Sequence, residues 1–203
     1  MNTLKKFDNK FLIRKTGLIA GCDEAGRGPL AGPVVAAAVI FDKETFHKDI
    51  NDSKQISEKK REELYKWILD NCLSHGIGII SHGEIDEINI LQASLKAMKF
   101  AVEQLEPAPN LVLIDGNKSF ISDIKTMTVI KGDSKSFSIA SASIIAKVTR
   151  DRIMTEAHEK FPQYLWEQNK GYPTLAHRNA VKIFGASSFH RKTFLKNIFD
   201  EKK

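Results

Sequence analysis

The stretch Val34-Val35-Ala36-Ala37-Ala38-Val39-Ile40-Phe41 is apolar at every position and is the longest such run in the chain. At eight residues it falls far short of the ~20 that a membrane span requires. It is bounded by Pro33 and Asp42 and rich in β-branched side chains, so it reads as a buried strand. Leu18 to Cys22 reads as a second buried strand just upstream. The two are separated by a turn dense in glycine and proline, Gly26-Arg27-Gly28-Pro29 through Gly32-Pro33.

Further along, Ser57 has the chemistry of an N-cap for a helix with apolar positions Leu64, Trp67, Ile68 and Cys72. Gly76 to Ser81 reads as a third strand. Ile88, Leu91, Leu95, Met98, Val102 and Leu105 step by three and four, which predicts one long amphipathic helix ended by Pro107 and Pro109. Leu111–Ile114 and Thr126–Ile130 are the fourth and fifth strands. A helix of small residues, Ser138 to Val148, would permit close approach to the sheet. The order is βββαβαβ-like, which predicts an α/β fold with a mixed five-stranded sheet flanked by helices. The 203 residues are expected to form a single domain. Residues 1–16 are expected to be loosely ordered, and residues 155–203 to form a C-terminal helical and loop region that flanks the sheet and completes the substrate site.

Apolar residues make up 42% of the chain, enough for a sizeable core. Lys and Arg number 31 against 25 Asp and Glu, a surplus that suits a polyanionic partner as well as it suits an ordinary basic surface. Two cysteines, Cys22 and Cys72, are too few for a disulfide framework or a four-ligand zinc site and fit a reducing cytoplasm as apolar fillers. Ile19-Ala20-Gly21-Cys22 imitates a lipoprotein cleavage site, but Arg14, Lys15 and Thr16 interrupt the apolar stretch that export requires. A cytoplasmic protein without a membrane anchor is expected.

Acidic residues stand at the ends of several predicted strands: Asp23 and Glu24 after the first, Asp115 after the fourth, Asp133 after the fifth. Any one of them is explicable as turn chemistry. Strand ends of α/β sheets open onto a shared crevice, however, so the set can converge. Two carboxylates about 4 Å apart repel by roughly 4 kcal/mol at an effective dielectric near 20. A cluster therefore calls for protons or cations. Oxygen-only ligands suit Mg²⁺ or Mn²⁺. In a basic protein such a centre points to metal-assisted hydrolysis of a phosphodiester. Gly26 and Gly28 leave main-chain amides open to a sugar or phosphate, and Arg27 adds a charged donor.

Asp23-Glu24-Ala25-Gly26-Arg27-Gly28-Pro29-Leu30-Ala31-Gly32-Pro33-Val34-Val35-Ala36-Ala37 resembles the opening signature of bacterial ribonuclease HII, the type 2 ribonucleases H. Asp52-Ser53-Lys54, Ile114-Asp115-Gly116, Lys131-Gly132-Asp133, Ser141–Val148, Asn169-Lys170-Gly171-Tyr172 and His190-Arg191 continue the resemblance in order, so it spans about Leu18 to Phe194. It implies a ribonuclease H-like fold with Asp23, Glu24, Asp115 and Asp133 as catalytic and metal-binding carboxylates, holding Mg²⁺ or Mn²⁺, two ions during catalysis. It implies cleavage of RNA in RNA–DNA hybrids and nicking 5′ of ribonucleotides embedded in duplex DNA, leaving a 3′-hydroxyl and a 5′-phosphate. The cellular roles implied are ribonucleotide removal in DNA repair and primer removal, by a monomer. The resemblance assigns 2′-hydroxyl sensing to Gly26, Arg27 and Gly28, and assigns stacking on a sugar beside the scissile position to Tyr172. Lys54 and Lys135 are expected to bind substrate, with Lys170, His177, Arg178, His190 and Arg191 as further candidate phosphate contacts.

Competing patterns fail. Gly26-Arg27-Gly28-Pro29-Leu30-Ala31 fits a dinucleotide fingerprint only if a helix starts there, and Pro29 and Pro33 lead into a strand instead. His82-Gly83-Glu84 lacks the Pro-Cys-x-x-Cys of a zinc deaminase. Phe194 and Phe199 fit helix packing better than a sliding-clamp peptide. A non-catalytic nucleic-acid binder and a DNA-cutting relative of the same superfamily are the alternatives. The repelling acids argue against the binder.

Overall fold

The computed structural model describes residues 3–12, 17–50 and 56–199. Its centre is one mixed sheet of β1 (Ile19–Ala25), β2 (Val34–Ile40), β3 (Ser74–Ile80), β4 (Leu111–Asp115) and β5 (Lys125–Val129), in the spatial order β3-β2-β1-β4-β5. β2 runs antiparallel to both β1 and β3, while β4 is parallel to β1 and β5 is parallel to β4. The expected five strands are all present. Helix α2 (Glu58–Asn71) lies between β2 and β3 and residues 116–124 join β4 to β5 without a helix, both as read element by element and both missed by the βββαβαβ shorthand.

β2 is buried along its whole length. Val34, Ala36, Ala38 and Ile40 pack on one face with Ala93, Ala97 and Met98 of helix α4 (Ile90–Glu103). Ala37 and Val39 pack on the other with Leu64 and Ile68 of α2 and Ile144 of helix α5 (Phe137–Lys160). Each Val or Ile so buried contributes about 1.5–3 kcal/mol, which accounts for the uninterrupted apolar run. Ser57 caps α2 by accepting from the Lys60 N–H at 3.3 Å.

α5 approaches β1 so closely that a Cβ on Gly21 would run into the main chain of Ser138 and Ile139. The small residues of its first half allow this, as expected. The helix continues to Lys160, well past Val148, because Met154 and Ala157 are buried against the C-terminal region and not against the sheet. The stripe Ile88–Leu105 is not one helix. Asn89, with φ +66°, ends helix α3 (His82–Ile88) and starts α4, its carboxamide oxygen accepting from the N–H groups of Leu91 and Gln92. Asparagine tolerates that side of φ, and apolar spacing is blind to the break.

The expectation of a loose N-terminal segment is corrected over residues 3–9. Thr3–Asn9 is a helix, α1, with Leu4, Lys5 and Asp8 buried. The Asp8 carboxylate accepts from the N–H and hydroxyl of Ser138 at 2.8 and 2.9 Å, and Lys5 donates to the Asp42 carbonyl at 2.6 Å. Polar side chains act here as buried anchors, which polarity alone misreads as a loose tail. The C-terminal region is helical, and its Phe194 packs against the sheet core. Helices α6 (Trp166–Asn169), α7 (Leu175–Phe184) and α8 (Lys196–Phe199) build a separate small core from Tyr164, Trp166, Val181 and Leu195 with Met154 of α5 and Leu30 and Ala31 of the β1–β2 loop. Cys22 is a buried apolar filler and Cys72 is partly buried; both are free thiols.

Candidate active site

Strand register brings the acids together. β1 and β4 run parallel with Cys22 opposite Ile114. One step further, each strand reaches an aspartate, Asp23 and Asp115. Side chains alternate along a strand. Gly21 faces α5, and Leu113 packs with Ile139 of α5, so Asp23 and Asp115 lie on the α5 side. Glu24 follows Cys22 on the α4 side. All three line a single cavity of about 480 Å³ at the strand ends, together with Gly26, Arg27, Gly28, Ser143, Lys147 and Tyr172. A smaller cavity of about 190 Å³ on the α4 side shares Glu24, Arg27 and Asp115.

Asp133 is buried in a 3₁₀ turn, Gly132–Ser134, and does not line the larger cavity. It is linked to the set through its neighbour, since the Gly132 N–H donates to Asp115 Oδ1 at 2.6 Å. Burial pushes the Asp23 carboxyl well above the usual carboxylate range, and the charges of Glu24 and Asp115 push the same way. The Glu24 N–H, at 2.7 Å, and the Ser143 hydroxyl oppose them. Burial also raises Glu24, opposed by the Arg27 guanidinium at 3.3 Å, while Asp115 adds to the rise. Among the described residues, no three His, Cys, Asp or Glu side chains are gathered tightly enough to hold a metal ion. The donor set nonetheless fits a hard cation. It consists of buried carboxylates that face one space and raise one another's proton affinity, a cost that a divalent ion would remove.

The loop beside these acids is held by two buried guanidiniums that the sequence did not mark as structural. Gly26 takes φ +99°, where a Cβ would strike the Arg150 side chain. Arg191 donates to the carbonyls of Gly26 (2.6 Å), Arg27 (3.2 Å), Gly32 (2.9 Å) and Pro33 (3.1 Å). Arg150 donates to Pro33 (3.0 Å), Ala31 (3.1 Å) and Lys170 (2.9 Å). The Leu30 N–H adds a bond to the Gly171 carbonyl at 2.8 Å. The Gly26–Gly28 loop is thereby fixed relative to Tyr172, which is 38% exposed with its ring 5.7 Å from both Lys147 Nζ and the Arg150 guanidinium.

His177 and His190 are buried and so are not phosphate contacts; Arg191, fully buried, is not one either. The histidines form a chain whose tautomers follow from its donors. The Ser187 N–H donates to His190 Nδ1 at 3.0 Å, so the His190 proton is on Nε2, 3.1 Å from His177 Nε2. The Trp166 indole also donates to His177 Nε2, at 3.0 Å. His177 therefore carries its proton on Nδ1 and donates it to the Tyr172 carbonyl at 2.9 Å. The clustering of His and aromatics after residue 155 was the only advance signal of this network.

The remaining candidates are scattered. Lys135 is exposed at the end of the 132–134 turn, away from the carboxylate cavity. Lys170 reaches Thr155 Oγ1 at 3.1 Å. Lys54, with Asp52 and Ser53, lies outside the described residues. Asp151 pairs with Lys147, four residues back on α5, at 2.7 Å. Phe194 packs half-buried against two cores, with the Arg191 guanidinium 5.1 Å from its ring.

A ribonuclease H2 from Pyrococcus horikoshii superposes with a TM-score of 0.74 at 26% identity, covering 89% of this chain and 96% of that one. An RNase HII from Archaeoglobus fulgidus, solved in complex with PCNA, superposes with a TM-score of 0.70 at 25% identity over 86% of this chain and 94% of that one. The fold and the acid-bearing strand ends thus define a nuclease of the ribonuclease H-like class. Residues 20–199 match the family model for ribonuclease HII. A ribonuclease HII from Rickettsia bellii is 55% identical over 182 residues, 90% of this chain and 92% of the relative. The chain belongs to the ribonuclease HII family. No helix among the described residues is long and apolar enough to cross a membrane.

Proposed function

We propose that this protein hydrolyses the RNA strand of RNA–DNA hybrids and nicks duplex DNA 5′ of embedded ribonucleotides, leaving 3′-hydroxyl and 5′-phosphate ends. The observation that supports this most is one cavity lined by Asp23, Glu24 and Asp115 together with the Gly26–Gly28 loop and Tyr172. Asp23, Glu24, Asp115 and Asp133 would hold the divalent ions, magnesium or manganese. When bound, such ions supply Lewis-acid polarisation of the phosphoryl group and a water nucleophile at neutral pH. Gly26 and Gly28 admit the sugar closely, Arg27 offers a charged donor, and the Tyr172 ring offers a stacking face. A Cβ on Gly28 would sit 3.8 Å from that ring, so loop and ring address the same nucleotide. A cytoplasmic monomer that removes ribonucleotides and primers from DNA is the corresponding cellular reading.

The test is an end-labelled DNA duplex with one ribonucleotide, beside an all-DNA control, incubated with Mg²⁺ or Mn²⁺. Cutting only at the 5′ side of the ribonucleotide is expected. Equal cutting of both duplexes would overturn the substrate reading, and no cutting would overturn the activity. Asp23→Asn and Asp115→Asn should each reduce the rate by about a hundredfold or more without lowering the melting midpoint, because each removes a buried like charge from the set.

A further inference from the structure

Between the 132–134 turn and α1 lies a further cavity, about 410 Å³. Lys6 and Lys10 of the N-terminal segment and Lys135 of the turn line it, with Phe7 as an apolar wall, and no carboxylate lines it. All three lysines are exposed.

The arrangement is specific in two respects. A seven-residue helix is not stable by itself. α1 is held because Leu4, Lys5 and Asp8 turn inward, Asp8 onto the first turn of α5. That docking leaves Lys6 of the helix and Lys10, in the turn just after it, exposed beside one cavity. The far wall is also the turn whose Gly132 N–H holds Asp115, so the basic groove starts where the acidic centre ends. α1 lies outside the family match, which begins at residue 20.

We infer that α1 and the 132–134 turn form a phosphate-gripping surface in which Lys6, Lys10 and Lys135 contact the duplex backbone away from the scissile position. This rests on the reading of the protein as a nuclease of hybrid and ribonucleotide-bearing duplexes.

The experiment measures equilibrium binding of the full chain to a labelled duplex with one ribonucleotide, in EDTA, from 50 to 200 mM KCl. Each lost lysine–phosphate contact reduces the slope of log K against log salt by about 0.9. Lys6→Gln/Lys10→Gln should therefore bind roughly tenfold more weakly with a slope shallower by about 1.8. Lys99→Gln, on α4 across the sheet, should change neither. A double variant with wild-type affinity and slope, made of a protein that still cuts at the ribonucleotide, overturns this inference and leaves the nuclease reading intact. A wild-type protein that neither binds the duplex in a salt-dependent way nor cuts it overturns both. An equal loss in Lys99→Gln reduces the effect to net charge and also overturns the assignment.

Discussion

Arg191 makes the sharpest test of how the Gly26–Gly28 loop is held. Its guanidinium is fully buried, and its four hydrogen bonds all end on main-chain carbonyls, those of Gly26, Arg27, Gly32 and Pro33. Burial and then the nearby Arg150 charge pull its pKa from 12.5 down to about 9. At 1.36 kcal/mol per unit, keeping the cation there costs about 5 kcal/mol. Hydrogen bonds from a charged donor contribute about 1.5–3 kcal/mol each, so four contribute roughly 6–12. The bonds exceed the burial cost by a few kcal/mol, and Arg191→Met, which removes both, should destabilise the protein by about 4 kcal/mol.

Arg191→Lys separates this account from a simple requirement for positive charge. An ammonium keeps the desolvation cost, yet as a single point it cannot reach carbonyls spread across the loop. It should therefore be at least as destabilising as methionine, the reverse of what a conservative exchange would give. Urea denaturation of wild type and both variants reads the result. A loss below about 1 kcal/mol for Arg191→Met, or near wild-type stability for Arg191→Lys, would refute the reasoning.

Two further outcomes follow from buried groups. Burial, and after it the nearby His177, lower His190 to about 4 from 6.5, so between those values the unfolded chain takes up a proton that the folded chain refuses. This contribution to stability is complete above pH 6.5 and falls by up to about 3 kcal/mol as pH drops towards 4. Subtracting the urea-derived pH profile of His190→Gln from that of wild type isolates it, and a flat difference would contradict the neutral tautomer chain. Gly21→Ala should cost about 1–3 kcal/mol, seen as a lower melting midpoint, because its Cβ meets the main chain of α5 and not a yielding side chain.

The sheet was legible because its signal is local. Val34–Ile40 and Leu111–Asp115 carry their burial in their own composition, and Gly-Pro punctuation marks the turn between β1 and β2. Polar residues used against type were not legible. Lys5 and Asp8 read as tail, yet they anchor α1, with Lys5 Nζ 5.8 and 5.3 Å from the rings of Phe41 and Phe137. Asn89 sits within a regular apolar stripe and breaks it through a backbone angle that spacing does not encode.

The site divides along the same line. Asp23 and Asp115 could be found from sequence because strand ends of parallel neighbours reach one edge, and register does the rest. Asp133 belongs to a turn, which the Gly132–Asp115 bond ties to the others. Arg150 and Arg191 resemble surface cations by residue type, and Arg191 was assigned to phosphate for that reason. Their true partners are carbonyls more than a hundred residues away, apart from Lys170. Such bonds leave no periodicity, because the acceptor is the main chain and any residue supplies it. Asp23, Glu24 and Asp115 therefore lie on the sheet, whereas Tyr172 lies in a region with a separate core, and the two guanidiniums set the distance between them. A change at Arg191 should thus disturb recognition of the nucleotide through the loop and leave the carboxylate strands paired, since none of its hydrogen bonds ends on β1 or β4.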